Sequence, residues 1–382
     1  MIGTHKHKDT QEYFECEADI AVVILARNEE AVLGKTLERL SPLIKKSENI
    51  HVVADHCIDA TADIARRAGV SVHIRTQGGP DGKGPALRWW LNRTHEKSTP
   101  SQVVVVLDAD SFVATNFFPV ILKYVSLGKE VLQTRVEPIF YSAQTIASLA
   151  ALSEITDQRV YDAFRARLGW PVRLRGTGMV FKRSVLKAVS HSLHTLTEDV
   201  ELSLLLSSKG IPITFVQETA VFDPKPCNET AAINQRARWL KGQFQVLQSY
   251  PKEIGKLLLS GFPGWSLLGS VLFKPRSLVF AVKIAAAILS AILAGTSGEY
   301  AYLFLTFSAI MILSIFLHSV AILFSLRYLE KGGSAVKTLL AIPFFFLLWI
   351  RSFLLAVFTN EPWLRSRPLV FNTVVTEPES AQ

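Results

Sequence analysis

The stretch that most restricts this chain is Val103-Val104-Val105-Val106-Leu107-Asp108-Ala109-Asp110. Four valines and a leucine in succession carry no helical spacing, and such runs form strands buried on both faces of a parallel sheet. Two carboxylates follow at once, one small residue apart. In open α/β sheets ligands bind in the crevice beyond the carboxyl ends of the strands, so the pair stands where a site belongs. Asp-x-Asp at that point offers hard oxygen ligands to Mg²⁺ or Mn²⁺, which also hold substrate phosphates. The plainer alternative is a strand that ends in two solvated, loop-forming aspartates, and the tripeptide alone does not decide.

The chain before this stretch alternates strand-like runs with helical spacing. Residues 20–25 read as a first strand, closed by Ala26-Arg27-Asn28-Glu29-Glu30, and residues 31–40 as a helix. Residues 49–54 make a second strand, ended by Asp55-His56-Cys57-Ile58-Asp59-Ala60-Thr61. A helix follows to about residue 68, and residues 70–74 make a third strand. This alternation implies right-handed βαβ units and a parallel sheet. The polar clusters fall at strand ends, which places Arg27, Asp55 and Asp108 on one rim.

Three further clusters carry chemistry. In Gly78-Gly79-Pro80-Asp81-Gly82-Lys83-Gly84 the glycines let backbone N–H groups approach a phosphate, and Lys83 adds a point charge. No Ser or Thr follows Gly82-Lys83, so the segment is not a P-loop, and a flexible turn with an exposed lysine is the alternative. Thr197-Glu198-Asp199 precedes an apolar helix over residues 200–207, where acids either cap the helix or serve as a base. A helix over 231–250 puts Gln235, Arg238 and Trp239 on one face. A tryptophan there can stack on a sugar while an arginine pairs with a diphosphate; the alternative is an interfacial tryptophan beside a solvated arginine.

Taken in order, Leu25-Ala26-Arg27-Asn28-Glu29, Val52-Val53-Ala54-Asp55, Gly82-Lys83-Gly84, Asp108-Ala109-Asp110, Thr197-Glu198-Asp199 and Gln235-Arg236-Ala237-Arg238-Trp239 resemble the family 2 glycosyltransferases of the GT-A fold. The branch resembled is the membrane-bound one that includes cellulose and hyaluronan synthases. The resemblance covers about residues 19–250. It implies an α/β domain with a mixed, mainly parallel sheet flanked by helices, followed by interfacial and transmembrane helices. It further implies inverting transfer of a sugar from a nucleotide-diphosphate donor, with a UDP-sugar first, to a glycan or polysaccharide acceptor. By that resemblance Arg27, Asn28 and Glu29 frame the nucleobase pocket, Asp55 bonds the base and Lys83 lies near the diphosphate. Asp108 and Asp110 share the ribose and the Mg²⁺ or Mn²⁺, Asp199 is the general base, and Glu198, Gln235, Arg238 and Trp239 meet the acceptor and diphosphate. The loop from Arg173 to Met179 resembles one that closes over donor and acceptor. Ala54 departs from the pattern, standing where many soluble members carry an aspartate, which bears on nucleotide identity.

The net charge of +8 suits an anionic partner. No basic block interleaved with aromatics stands out, so nucleic acid is not the expected one. Three scattered cysteines, Cys16, Cys57 and Cys227, show no metal spacing and point to a reducing compartment. Residues 1–18 form a polar tail in which His5 and His7 are read as disordered chain rather than metal ligands, and it is not a signal peptide.

The 49% hydrophobic content is concentrated after residue 256. Residues 251–276 read as an amphipathic interfacial segment and residues 277–358 as a transmembrane region of two or three spans. Lys283 is expected to snorkel, and Arg351 to face protein or a polar cavity. The basic loop 327–337 belongs on the cytosolic side, with the catalytic domain. An integral protein of a plasma or inner membrane is expected, with a C-terminal tail from 359. The competing readings are a transferase that adds one sugar to a lipid acceptor, and a membrane-tethered nucleotide-binding regulator that has lost its chemistry.

Overall fold

A computed structural model describes residues 20–79, 81–94, 102–139, 145–226, 228–272, 276–296, 298–329 and 335–359. The expected tail 1–18, with Cys16, and Cys227 lie outside these residues, as does the C-terminal tail beyond Thr359. Apolar runs become strands and the amphipathic segments between them become helices. β1 (Ile20–Ala26), α1 (Leu33–Leu40), β2 (Ile50–Asp55), α2 (Thr61–Arg67), β3 (Ser71–Arg75), α3 (Lys83–Arg93) and β4 (Val103–Asp108) follow in turn. Next come β5 (Phe112–Val113), α4 (Phe117–Ser126), β6 (Val131–Ile139) and α5 (Thr145–Ile155), which runs into a π-helical segment, Thr156–Asp162. α6 (Ala163–Arg167), β7 (Met179–Lys182), α7 (Arg183–Ser190), α8 (Glu198–Ser208), β8 (Thr214–Pro224) and α9 (Glu229–Ser249) complete this part.

The sheet order is β3-β2-β1-β4-β7-β6-β8-β5. β3, β2, β1 and β4 pair in parallel, as does β6 with β8, while β7 runs antiparallel to both its neighbours. The mixed, mainly parallel α/β architecture read from the sequence is therefore the one formed. Alternate residues of the valine strand point to opposite cores, because successive strand side chains do so. Val104 and Val106 join the layer containing Leu87, Trp90 and Leu202, whereas Val103, Val105 and Leu107 join the layer of α1 and α4. Both layers are closed, so only the strand ends are open to a ligand.

Beyond the sheet, α10 (Pro251–Leu259) and α11 (Phe262–Leu272) precede α12 (Arg276–Thr296) and α13 (Ala301–Leu326), and α14 (Ala335–Leu340) and α15 (Ile342–Phe358) follow. Val279–Thr296 and Gly298–Leu326 are long and apolar enough to cross a membrane, and only 17% and 11% of an apolar 18-residue stretch in each is buried against the rest of the chain. Core helices of a soluble protein would be mostly covered. α15, with 17 residues, is shorter. It packs along α9, where Phe345, Leu348 and Trp349 are buried. The apolar segment after residue 335 breaks just before Pro343, as proline at a helix start requires. Arg351 does not break it: its guanidinium pairs with Glu229 at the start of α9. Lys283 differs from expectation. It bonds Ser314 Oγ on α13 at 2.7 Å, so a partner inside the hairpin replaces the expected reach to the surface. Tyr161 of the π-helical segment bonds His318 of α13 at 2.5 Å, tying the sheet domain to the hairpin.

His51 on β2 and His73 on β3 are diagonal neighbours, with Nδ1 of the first 3.0 Å from Nε2 of the second. Burial pushes His51 down to about 4 and lowers His73 as well. Because the folded pKa lies below the unfolded value near 6.5, the unfolded chain binds more protons as pH falls. Stability contributed by neutral His51 is complete above about pH 6.5 and declines towards pH 4. Thermal unfolding of the purified protein should therefore fall more steeply over that window in the wild type than in His51→Gln.

Gly242 lets α9 cross the start of α8 in close contact. A Cβ there would lie 2.4 Å from Thr197 Cγ2 and 2.5 Å from its Oγ1. Gly242→Ala is expected to destabilise by about 1–3 kcal/mol, as overpacking does, and to displace Glu198 and Asp199. Thermal unfolding and donor binding measured on the same preparation would show both effects.

Candidate active site

Asp108 is the last residue of β4 and lies in register with Leu25 of β1. Asp110 follows in the turn, and β8 brings Asp223 to the same place from the other half of the sheet. One carboxylate oxygen from each of Asp108, Asp110 and Asp223 lies within 4.8 Å of the others. Burial first, then the neighbouring Asp223 and Asp108, hold the Asp110 carboxyl well above the usual range; burial also raises Asp223. Three acids this close repel one another unless a cation sits among them. All are oxygen donors, the set that Mg²⁺ and Mn²⁺ prefer, so the residues fit the expected ion.

Lys83 approaches from the N-terminus of α3 and bonds Asp108 Oδ1 at 2.5 Å. Burial works against its charge, yet Asp108 and Glu198 hold its ammonium above the ordinary lysine value. The flanking glycines make the approach possible. Gly82 has φ 137°, and a Cβ on Gly84 would press on Glu198 Cβ at 3.1 Å and Leu193 Cβ at 3.3 Å. Thus the glycine spacing serves close helix packing as well as backbone freedom.

Glu198 and Asp199 open α8, as the sequence implies. Thr197 makes no side-chain cap on this helix. What positions the turn is Glu201, fully buried, which accepts hydrogen bonds from the backbone N–H groups of His194 and Thr195, from Thr195 Oγ1 and from Tyr250 Oη. Burial pushes Glu198 up to about 8, with Lys83 opposing. Burial likewise takes Glu29 up to about 7 against the pull of Lys83. Arg238 reaches this group from α9: burial lowers its guanidinium, and Glu198, Asp108, Glu29 and Asp199 oppose that.

One cleft connects these groups. Lys83, Asp108, Glu198, Asp199, Gln235, Arg238 and Trp239 all line it. Its empty volume is about 1320 Å³ with the open mouth and the solvent in it included. Phe345 and Trp349 of α15 form part of its wall, and Trp239 packs beside them.

Of the nucleobase residues expected from the sequence, Arg27, Asn28 and Asp55 stand at the ends of β1 and β2, whereas Glu29 is close enough to Lys83 and Asp108 to feel both. Asn28 Oδ1 accepts from Ile58 N–H, and Asn28 N–H points to Cys57 Sγ. Asn28 (φ 56°) and His56 (φ 50°) hold left-handed backbone, uncommon for residues with a side chain and frequent near functional sites. Asp55 is buried and engaged, with Arg75 Nη1 at 2.8 Å and His56 Nδ1 at 2.7 Å. Arg27 pairs with Asp81 of the glycine-rich loop at 2.8 Å.

Asp223 and Lys225 are missing from the sequence reading, and Arg236 and Asp81 stand there only within motifs, without a role. Asp223 follows only a short apolar run, Ala220-Val221-Phe222, in a strand that also carries Gln217, Glu218 and Thr219, and no second acid marks it. The loop from Arg173 to Met179 does reach the cleft, through Arg173, Arg175, Gly176 and Thr177.

The chain is 26% identical over 240 residues to a beta-monoglucosyldiacylglycerol synthase from Synechocystis sp., covering 60% of this chain and 49% of that protein. It is 24% identical over 258 residues to the Nostoc sp. protein of the same name, covering 65% and 54%. The chain thus spans about half the length of the curated relatives it matches. Among solved structures it is similar to a mannosyltransferase from Pyrobaculum calidifontis in complex with GDP-Man and Mn²⁺, at TM-score 0.45 and 14% identity, over 85% of this chain and 95% of that one. The family described as Glycosyltransferase like family 2 matches residues 18–242, more than half of the chain, and the chain belongs to it.

Proposed function

We propose that the protein transfers a single hexosyl unit from a UDP-sugar to a membrane lipid, with inversion at the anomeric carbon. The observation that carries this reading is the shared cleft. The carboxylates at the strand ends and two aromatic residues of the apolar helix α15 line one space, so an acceptor held partly by apolar surface reaches the donor. The names of the diacylglycerol relatives support a lipid over the polysaccharide acceptor expected from the resemblance.

Asp108, Asp110 and Asp223 would hold Mg²⁺ or Mn²⁺, which when bound supplies positive charge to the donor diphosphate. Asp199 takes the proton from the acceptor hydroxyl as its oxygen attacks the anomeric carbon. The bond from that carbon to the donor phosphate breaks, and the nucleoside diphosphate leaves between Arg238 and Lys83. Glu198 stands against Lys83 and sets its position. Arg27, Asn28, Glu29 and Asp55 frame the base, with Asp81 holding Arg27. Gln235 and Trp239 face the acceptor.

In this reading residues 19–250 are the catalytic domain, residues 251–276 lie in the membrane interface and residues 277–358 hold the protein in the bilayer. Exposed Leu259, Phe262 and Trp265 on α10 and α11 support the interfacial role. Arg327 and Lys337, after α13, support a cytosolic catalytic domain.

Purified protein given UDP-glucose and dioleoylglycerol or a mixed lipid extract should release UDP and form a lipid carrying one sugar; a ladder of products would replace the lipid reading with chain extension. Calorimetry should show Mn²⁺ affinity falling about tenfold or more in Asp110→Asn and in Asp223→Asn, the scale of losing one oxygen from a carboxylate set; unchanged binding would remove them as ligands. Asp199→Asn should keep UDP affinity while transfer drops about 10²-fold or more. Loss of thermal stability with turnover retained would make Asp199 a helix residue only.

A further inference from the structure

Arg236, one turn before the end of the Gln235–Trp239 motif, is 2% exposed and lines the cleft. The other cations of the cleft wall have carboxylates beside them. Lys83 has Asp108, Arg173 has Asp157, Arg175 has Glu154 and Asp162, Lys225 has Asp223, and Arg238 lies in the field of Glu198. Among the described residues none pairs with Arg236. Its Nη1 donates to Ala232 O at 2.9 Å, within its own helix, and its Nε has no hydrogen-bond partner. The guanidinium carbon sits 4.7 Å from the Phe345 ring and 5.3 Å from the Trp349 ring. Burial pushes the group down to about 9, and no acid counters it.

A buried guanidinium keeps its charge at neutral pH and needs an electron-rich partner. Two aromatic faces supply part of that need, but they leave donors in the guanidinium plane unused. Those donors match the oxygens of a phosphate, which arginine binds in a fork. The setting is amphiphilic: a cation at the head of a slot whose other wall is the apolar face of α15.

We propose that Arg236 binds an anionic phosphate group of the lipid acceptor, with Phe345 and Trp349 against the first part of its chain. This rests on the lipid-acceptor reading and narrows it, because diacylglycerol, the acceptor in the relatives' names, carries no such charge. In that reading the donor diphosphate is met by Lys83 and Arg238, which leaves Arg236 for a second ligand.

The test uses the full chain purified in maltoside detergent, titrated with dodecyl phosphate and with dodecanol and followed by ³¹P line broadening and tryptophan fluorescence. The wild type should bind dodecyl phosphate at least about tenfold more tightly than dodecanol, a preference set by charge-assisted bonding. Arg236→Gln should bring the two within about twofold, Arg236→Lys should fall between, and UDP affinity should stay unchanged in both. Equal affinities in the wild type would overturn the proposal and leave Arg236 as a clamp between α9 and α15. Loss of UDP binding in Arg236→Gln, with dodecyl phosphate still preferred, would overturn it too and assign the arginine to the donor. The wild-type comparison stands even where the variant does not fold. Failure of any sugar transfer to lipids, with the phosphate preference intact, would count against the enzyme reading and not against the Arg236 site.

Discussion

Repulsion among carboxylates at the end of a parallel sheet is the constraint around which the rest of this structure is arranged. Asp108, Asp110 and Asp223 stand within one ion's reach of each other, with Glu29 and Glu198 close enough to feel Asp108. Such a cluster either holds protons or draws cations to it. Lys83 is delivered by a helix N-terminus that glycine lets close in, and Arg238 by a helix from the far end of the domain. Two elements far from β4 in sequence, β8 and α9, bring Asp223 and Arg238 to its site.

α9 has a second allegiance. One side presents Arg238 to the acids; the other receives α15 through Arg236, Trp239, Leu240 and the Glu229–Arg351 pair. Any displacement of α15 relative to the sheet passes through a helix that carries cleft residues. Tyr161 and His318 make a second such link, from the π-helical segment to α13. π-helical segments are commonly found at functional sites, and Asp157 within this one lines the cleft. The sheet is thus tied to the apolar helices through α9 and through the π-helical segment, among other contacts.

Glu201 illustrates how a buried charge can serve position rather than chemistry. It is sealed from solvent, yet Thr195, His194 and Tyr250 satisfy its oxygens. The turn that carries Glu198 and Asp199 is therefore held from behind, leaving those two acids to face the cleft. A buried acid without this network would be strongly destabilising.

Much of this was legible in the chain itself, wherever a local rule has one answer. The valine run reads as a buried strand, and the end of such a strand is where its acids meet the crevice. The spacing of Gln235, Arg238 and Trp239 put them on one helix face, and the 26 residues of α13 match the apolar run that marks them. Other features depended on what happens to be opposite. Asp223 joined the acids because β8 pairs with β6 in parallel and ends beside Asp108, a long-range pairing that no periodicity records. Asp55 looks like an open ligand in sequence but meets Arg75 across the β2–β3 register. Arg236 carries no assignment in the sequence, and it is α15, about a hundred residues later, that sets two rings against it. Local sequence determines the type of each element and the direction of its side chains, because those follow from backbone sterics and hydrophobic period. Which charge ends up facing which is decided only when distant elements pack, because desolvation and Coulomb attraction act between neighbours in space.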